Sequence, residues 1–276
     1  MIEDKKILVS GGAGSIGSEL VHQLAPDNEV YILDIDETRF FDLYEELKLR
    51  GCKISGRVGN IKAHSTVDDV ISEFRPELII NAAAYKHVAP MEWTPMEAVN
   101  SNIIGTYNLL KYAKKYGVEK FVNVSTDKVV NASSIMGATK KVTEIMVKNA
   151  GGISVRFGNV LGSRGSVLPF WQGQLDRNEP LTITDERMKR YFMTIPEACT
   201  LIIRAAEIGE AGQILILDMG ELKSVYELAL EILKKSGKEH LGVKKIGIRP
   251  GETLEEKLMT EEEAGRAVEK ENFWVI

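Results

Sequence analysis

The sequence is poor in cysteine and histidine, and has no segment suited to crossing a membrane. It contains two cysteines, Cys52 and Cys199, and four histidines. The cysteines stand far apart with no Cys-x-x-Cys spacing, so they read as small buried side chains. His22, His64, His87 and His240 are isolated; no His-Glu-x-x-His or mixed Cys/His set occurs, and no protein-bound metal is expected. No apolar run approaches the roughly 20 residues that a spanning helix needs. The opening "MIEDKKILVSGG" is charged and then becomes a short strand, unlike a signal peptide or an anchor, so a cytoplasmic protein is expected. A basic excess is absent too: net charge is −5, which leaves no footprint for nucleic acid. An anionic ligand must then be gripped by local arginines against the overall field.

What is present is ordinary for a globular protein, with 44% apolar and 27% charged residues. A length of 276 residues allows one large α/β domain, or a larger and a smaller one sharing a cleft. Up to about residue 160, apolar runs alternate with helical patterns: "KILVSGG", "EVYILDID", the weaker "KISGRVG", "ELIINAAA", "KFVNVSTD" and "ISVRFGNV". Continuous Val, Ile, Leu and Phe suit parallel strands buried on both faces, and the βαβ alternation predicts a doubly wound parallel sheet. Ser65 or Thr66 is expected to cap the third helix, and one long helix is expected from about Pro95 to Tyr116. Beyond Val160 the pattern becomes irregular and rich in Gly, Arg and aromatics. A helix is expected near Pro196, a strand at "QILILDMG", a helix at "SVYELALEILKKSG", and a tail of loop and acidic helix. The expected division is a dinucleotide-binding part over 1–158, with segments returning to it at about 192–219, and a small substrate-binding lid mainly within 159–276.

"VSGGAGSIGSEL" lies between the first strand and first helix. Gly12, Gly14 and Gly17 fit Gly-x-Gly-x-x-Gly; Gly11, Gly14 and Gly17 fit short-chain spacing equally well. Such glycines let the backbone turn sharply and approach a pyrophosphate at a helix N-terminus. Ser15 and Ile16 belong to the same turn. Asp34, ending the second strand, is placed to accept from a ribose diol and repel a 2′-phosphate, which favours NAD over NADP. Asn60 with Ile61 after the third strand, and Ala82 with Ala83 after the fourth, complete the expected cofactor contacts.

The fifth strand ends in Ser125, Thr126, Asp127 and Lys128, where a doubly wound sheet faces its ligand crevice. Met136 and Lys140, four apart, share a face of the next helix. Lys140 is placed to hydrogen-bond the nicotinamide ribose. Arginines gather in the irregular part: Arg164, Arg187, Arg190 and Arg249, suited to bidentate phosphate binding. "GSRGS", with Ser166, adds flexible backbone N–H groups.

Together, "GGAGSIGSEL", "NAAAYKHVAPME", "EAVNSNIIGTYNLL", "STDKVVNASSIMGATKK", "VRFGNVLGSRGSVLPFW", "RYFMTIPEA" and "RPGETLEEKL" make the chain resemble the extended short-chain dehydrogenase/reductases. Within them it is similar to the polysaccharide-biosynthesis group of UDP-N-acetylglucosamine 4,6-dehydratases, in the branch with methionine for tyrosine at position 136. The resemblance implies a Rossmann-type sheet, NAD, and a three-stage reaction. Hydride leaves sugar C4, the resulting ketone lets a base remove the C5 proton while the C6 hydroxyl departs as water, and hydride returns to C6. Asp127 is expected to protonate the C6 hydroxyl and Lys128 to take the C5 proton, while either Lys128 or a relay through Thr126 takes the C4 hydroxyl proton. Burial and nearby Lys140 are expected to depress the Lys128 pKa. The resemblance further implies Lys86, Asn159, Arg164, Arg190, Arg249 and Glu252 as contacts to the UDP-sugar. It also implies a homodimer through the 95–116 helix and the helix from 135, with Tyr107, Leu110 and Tyr112 on that face. A UDP-sugar 4-epimerase is the alternative, though epimerases usually need the absent tyrosine. A non-catalytic NAD-binding or scaffold protein is the alternative of another class.

Overall fold

A computed structural model describes residues 2–276. The apolar runs fold as β1 (Lys6–Ser10), β2 (Glu29–Asp34), β3 (Ile54–Val58), β4 (Leu78–Asn81), β5 (Lys120–Val124) and β6 (Ile153–Arg156). Their connections carry α1 (Ser15–Leu24), α2 (Glu37–Leu49), α3 (His64–Phe74), α4 (Val88–Trp93), α5 (Pro95–Ala98), α6 (Gly105–Tyr116) and α7 (Ile135–Asn149). Strand periodicity distributes β1 between two cores. Ile7 and Val9 pack with Leu20 and Leu24 of α1, whereas Leu8 packs with Val67 and Val70 of α3 and Leu109 of α6. With both faces covered, the strands have no use for polar alternation.

After β6 come four short strands, β7 (Asn159–Leu161), β8 (Leu181–Ile183), β9 (Lys189–Arg190) and β10 (Phe192–Thr194), with α8 (Val167–Asp176) among them. The sixth apolar run therefore splits: β6 stays in the main sheet, and β7 leaves it to pair with β10. Next, α9 (Ile195–Ile208) begins at a capping box formed by Thr194 and Glu197, with Pro196 in its first turn. The chain then rejoins the main sheet as β11 (Ile214–Leu217), parallel to β6. β12 (Lys223–Ser224) pairs with β9, α10 (Val225–Ser236) follows, and β13 (Val243–Lys245) pairs with β8. Trp171 and Leu175 of α8, Leu181 and Ile183 of β8, and Ala229 and Leu233 of α10 form a separate small core for this part. The tail holds α11 (Glu261–Ala264) and a hairpin, β14 (Val268–Lys270) and β15 (Phe273–Val275), which extends the main sheet antiparallel to β11. The sheet order is β14-β15-β11-β6-β5-β4-β1-β2-β3.

Three local expectations change. α3 starts at His64 with no side-chain cap, so Ser65 and Thr66 lie inside its first turn. The Asn60 turn, in which Ala63 N donates to Asn60 O and Lys62 N to Asn60 Oδ1, delivers the backbone into the helix early. The long helix expected from Pro95 is interrupted by a π-helical segment at Val99–Ile104. On α6, Tyr112 is core and Leu110 packs against that core, so of the expected face only Tyr107 is well exposed.

Candidate active site

β1 and β4 are neighbours, with the chain winding outward from them in opposite directions. Their carboxyl ends thus open a crevice at the switch point. Gly11 adopts φ +69° there, and a Cβ on it would lie 2.7 Å from Ala83. A Cβ on Gly17 would fall 1.9 Å from the Gly11 carbonyl oxygen, so α1 approaches the turn only because residue 17 has no side chain.

One cavity of about 190 Å³ is bordered by Gly11, Gly14, Asp34, Asn60, Ile61, Ala82 and Ala83. A second, of about 390 Å³, shares Ala82, Ala84 and Tyr85 with it, so the two form one cleft. Asp34 is buried at the cleft edge; its Oδ2 accepts from Ala13 N at 2.8 Å and its Oδ1 from Asp36 N at 2.9 Å. The carboxylate thus fixes the glycine turn while bordering the smaller cavity. The glycine turn, the helix N-terminus and this acidic group fit NAD, and they disfavour a 2′-phosphate. Ser15 lines neither cavity, whereas Ile16 lines the larger one.

The larger cavity collects Lys86, Thr126, Lys128, Met136 and Lys140 from the first half of the chain. From the second half it takes Asn159, Ser166, Arg249 and Glu252. Asp127 is fully buried behind them, at the start of a single 3-10 turn, Asp127–Val129. Its Oδ1 accepts from Thr126 Oγ1 and from Lys128 Nζ, each at 2.9 Å. Its Oδ2 is buried without a hydrogen-bond partner among the described residues. Lys128 Nζ also donates to Asn159 Oδ1 at 3.2 Å and stands 3.6 Å from Glu256 Oε1. Burial favours the neutral amine, but the Asp127 and Glu256 carboxylates outweigh it, so the Lys128 pKa is raised. The expected depression is therefore corrected: Lys140 is not among the groups that act on Lys128, and two carboxylates are. Lys140 carries the depressed pKa instead, lowered to about 8 by burial against partial compensation from Glu144. Its Nζ donates to Val124 O at 2.5 Å. Met136 is buried against Met91 and Ala98 while bordering the cavity, so it both packs and faces the ligand space.

The arginines separate. Arg249 alone of the four borders the large cavity. Arg187 is spent on Asp185, with contacts at 2.9 and 3.1 Å. Arg190 donates to the carbonyls of Lys189, Leu254 and Thr253, holding the tail, and does not border the large cavity. Arg164 reaches the glycine turn: its backbone N donates to Ser15 Oγ at 3.0 Å and its Nη2 to Ala13 O, while Nη1 is buried without a partner among the described residues. It therefore docks on the glycine turn and borders neither cavity. Lys86 Nζ donates to Ser163 Oγ at 3.2 Å. Sequence reasoning missed Glu256. It is one of several carboxylates in "RPGETLEEKL", and nothing in the local pattern marks the one that turns inward.

The chain is 40% identical to the capsular polysaccharide biosynthesis protein CapD of Staphylococcus aureus, over 95% of this chain and 46% of that protein. It spans about half the length of the first curated relatives it matches. Among solved structures, Pen from Bacillus thuringiensis superposes with a TM-score of 0.94 at 33% identity, covering 99% of this chain and 89% of Pen. The UDP-glucose 4-epimerase of Thermus thermophilus, solved in complex with NAD, does so with a TM-score of 0.80 at 25% identity, covering 92% and 90%. The model of the polysaccharide biosynthesis protein family matches residues 7–276, and the chain belongs to that family.

Proposed function

We propose that the protein is an NAD-dependent nucleotide-sugar 4,6-dehydratase that converts UDP-N-acetylglucosamine to the UDP-4-keto-6-deoxy sugar for polysaccharide assembly. The observation that carries this reading is the Asp127–Lys128 pair, Lys128 bordering the cavity and Asp127 buried directly behind it with one carboxylate oxygen unpaired among the described residues, beside a methionine where epimerases usually need a tyrosine. The turn of Gly11, Gly14 and Gly17, with Asp34 and Lys140, would hold NAD, which would supply reversible hydride transfer beside the reacting sugar carbons. Elimination of water between C5 and C6 needs a base and an acid together. Lys128 is an ammonium hydrogen-bonded to Asp127. Passing one proton from Lys128 Nζ to Asp127 Oδ1, over 2.9 Å, makes both at once. The neutral amine takes the C5 proton, and the carboxylic acid protonates the departing C6 hydroxyl. Thr126 Oγ1, bonded to the same carboxylate oxygen, relays the C4 hydroxyl proton out to solvent as C4 is oxidised; once water has left, Lys128 gives a proton back to C5 as hydride reaches C6 and regains one from solvent, so the pair ends as it began. Arg249 and the loop carrying Ser166 hold the diphosphate, and Glu252 accepts from the uridine ribose.

The test is a mass spectrum of UDP-N-acetylglucosamine after incubation with the protein and NAD⁺ in deuterated water. Loss of one water with deuterium gained at C5 supports the reading. A product of unchanged composition that separates chromatographically from the starting sugar identifies a 4-epimerase instead, the activity named for the Thermus neighbour. Asp127→Asn is expected to slow water loss at least about 100-fold. Full dehydration by that variant rules out Asp127 as the acid.

A further inference from the structure

The reacting centre contains a carboxylate that the dehydratase reading does not use. Glu256 comes from the tail, far in sequence from the 3-10 turn that carries Lys128, yet its Oε1 lies 3.6 Å from Lys128 Nζ and its side chain is 10% exposed. Its position is built. Arg190, itself buried, donates to Thr253 O and Leu254 O, and Lys189 N donates to Leu254 O, so the tail backbone is pinned along β9 just before Glu256. Arg190 Nε then stands 3.8 Å from Glu256 Oε1. Glu255, one residue earlier, points outward to Lys189 and is 53% exposed. The register of this docking therefore selects which glutamate meets the lysine.

We propose that Glu256 is a positioning residue of the reacting centre, whose carboxylate holds the Lys128 ammonium in register with Asp127 and keeps it protonated until substrate is bound. The groups facing Lys128 are Asp127 on its own turn, Asn159 on β7, Arg190 on β9 and Glu256 on the tail; Lys140 of α7 borders the same cavity. Two carboxylates against Arg190 give a net field that favours the ammonium. Removing the charge of Glu256 without changing its shape reverses part of that preference. The consequence for catalysis rests on Lys128 acting as the C5 base.

The experiment uses the holoenzyme with ¹³Cε-labelled lysine, the Lys128 signal being assigned by its absence in Lys128→Arg. Glu256→Gln is expected to lower the Lys128 pKa by about one to two units, as loss of one close carboxylate does. Glu255→Gln is expected to leave it in place. In the same variant, the pH profile of water loss should keep its shape with its basic limb, where the Lys128–Asp127 pair loses its shared proton, moved to lower pH, while the KM for the nucleotide sugar changes less than about threefold. Glu256→Asp is expected to restore the wild-type limb. An unmoved Lys128 titration overturns the proposal, whether or not turnover falls. So does a Glu256→Gln variant whose KM and thermal midpoint change while the limb stays fixed, since that pattern marks a merely structural residue. If the wild-type protein makes no dehydrated sugar, the dehydratase reading fails, and the lysine titration still decides the role of Glu256.

Discussion

Replacing Lys140 by methionine should stabilise the NAD-free protein while removing NAD-dependent turnover. Lys140 is 6% exposed, and burial lowers its pKa from the ordinary 10.5 to about 8. At about 1.4 kcal/mol per unit, holding its charge in the folded state at pH 7 costs about 3 kcal/mol. Methionine is of similar length and removes that cost, but it leaves Val124 O without its donor, a loss of about 1 kcal/mol. The net expectation is about 2 kcal/mol of added stability at pH 7. The sign with pH follows from linkage. The folded-state pKa lies below the unfolded one, so the unfolded chain binds more protons, and wild-type stability rises as pH climbs through the window from about 8 to 10.5. The gap between variant and wild type should therefore shrink by about 2 kcal/mol between pH 7 and 9.5. Urea unfolding of both proteins at the two pH values measures it. A variant less stable than wild type at pH 7, or a gap that does not change with pH, refutes the argument that Lys140 is held at a cost for the cofactor.

Two further outcomes are expected. Arg164→Gln should weaken NAD binding about tenfold, read from quenching of intrinsic fluorescence, with the KM for the nucleotide sugar changed less than about threefold, because the guanidinium sits on the glycine turn. The reverse pattern returns Arg164 to the sugar diphosphate. Arg156→Met should cost about 3–5 kcal/mol in urea unfolding, because it takes the buried guanidinium from Glu144 and Glu263, which pair with it at 2.9 and 2.8 Å, and leaves Lys141 alone to offset two buried carboxylates. Although burial opposes it, the hydrogen bond from Arg156 helps hold the Glu263 pKa down to about 2. That contribution is present above the ordinary carboxylate pKa of about 4.3 and is lost as pH falls towards 2. The variant should accordingly lose less stability than wild type over that acid range.

What the sequence alone determined is everything carried by short range. The parallel strands, the glycine turn and Asp34 are legible because each is a local pattern with one physical cause: burial on both faces, absence of a Cβ, or a carboxylate at a strand end. Thr126, Lys128, Met136 and Lys140 lie within one short segment, so one strand end and one helix face bring them to the same cleft, with Asp127 buried just behind it. The second half of the chain was less legible because its decisive contacts are between distant segments. Arg164 and Arg190 are equally cationic in sequence, yet one docks on Ser15 and Ala13 and the other on carbonyls 253 and 254. The hairpin of β14 and β15 joins the main sheet because the edge of β11 offers unpaired backbone groups, a condition that no window around residues 268–275 contains. The direction of the Lys128 pKa was decided in the same way. Its own segment supplies one carboxylate, and the tertiary fold brings the second from the tail.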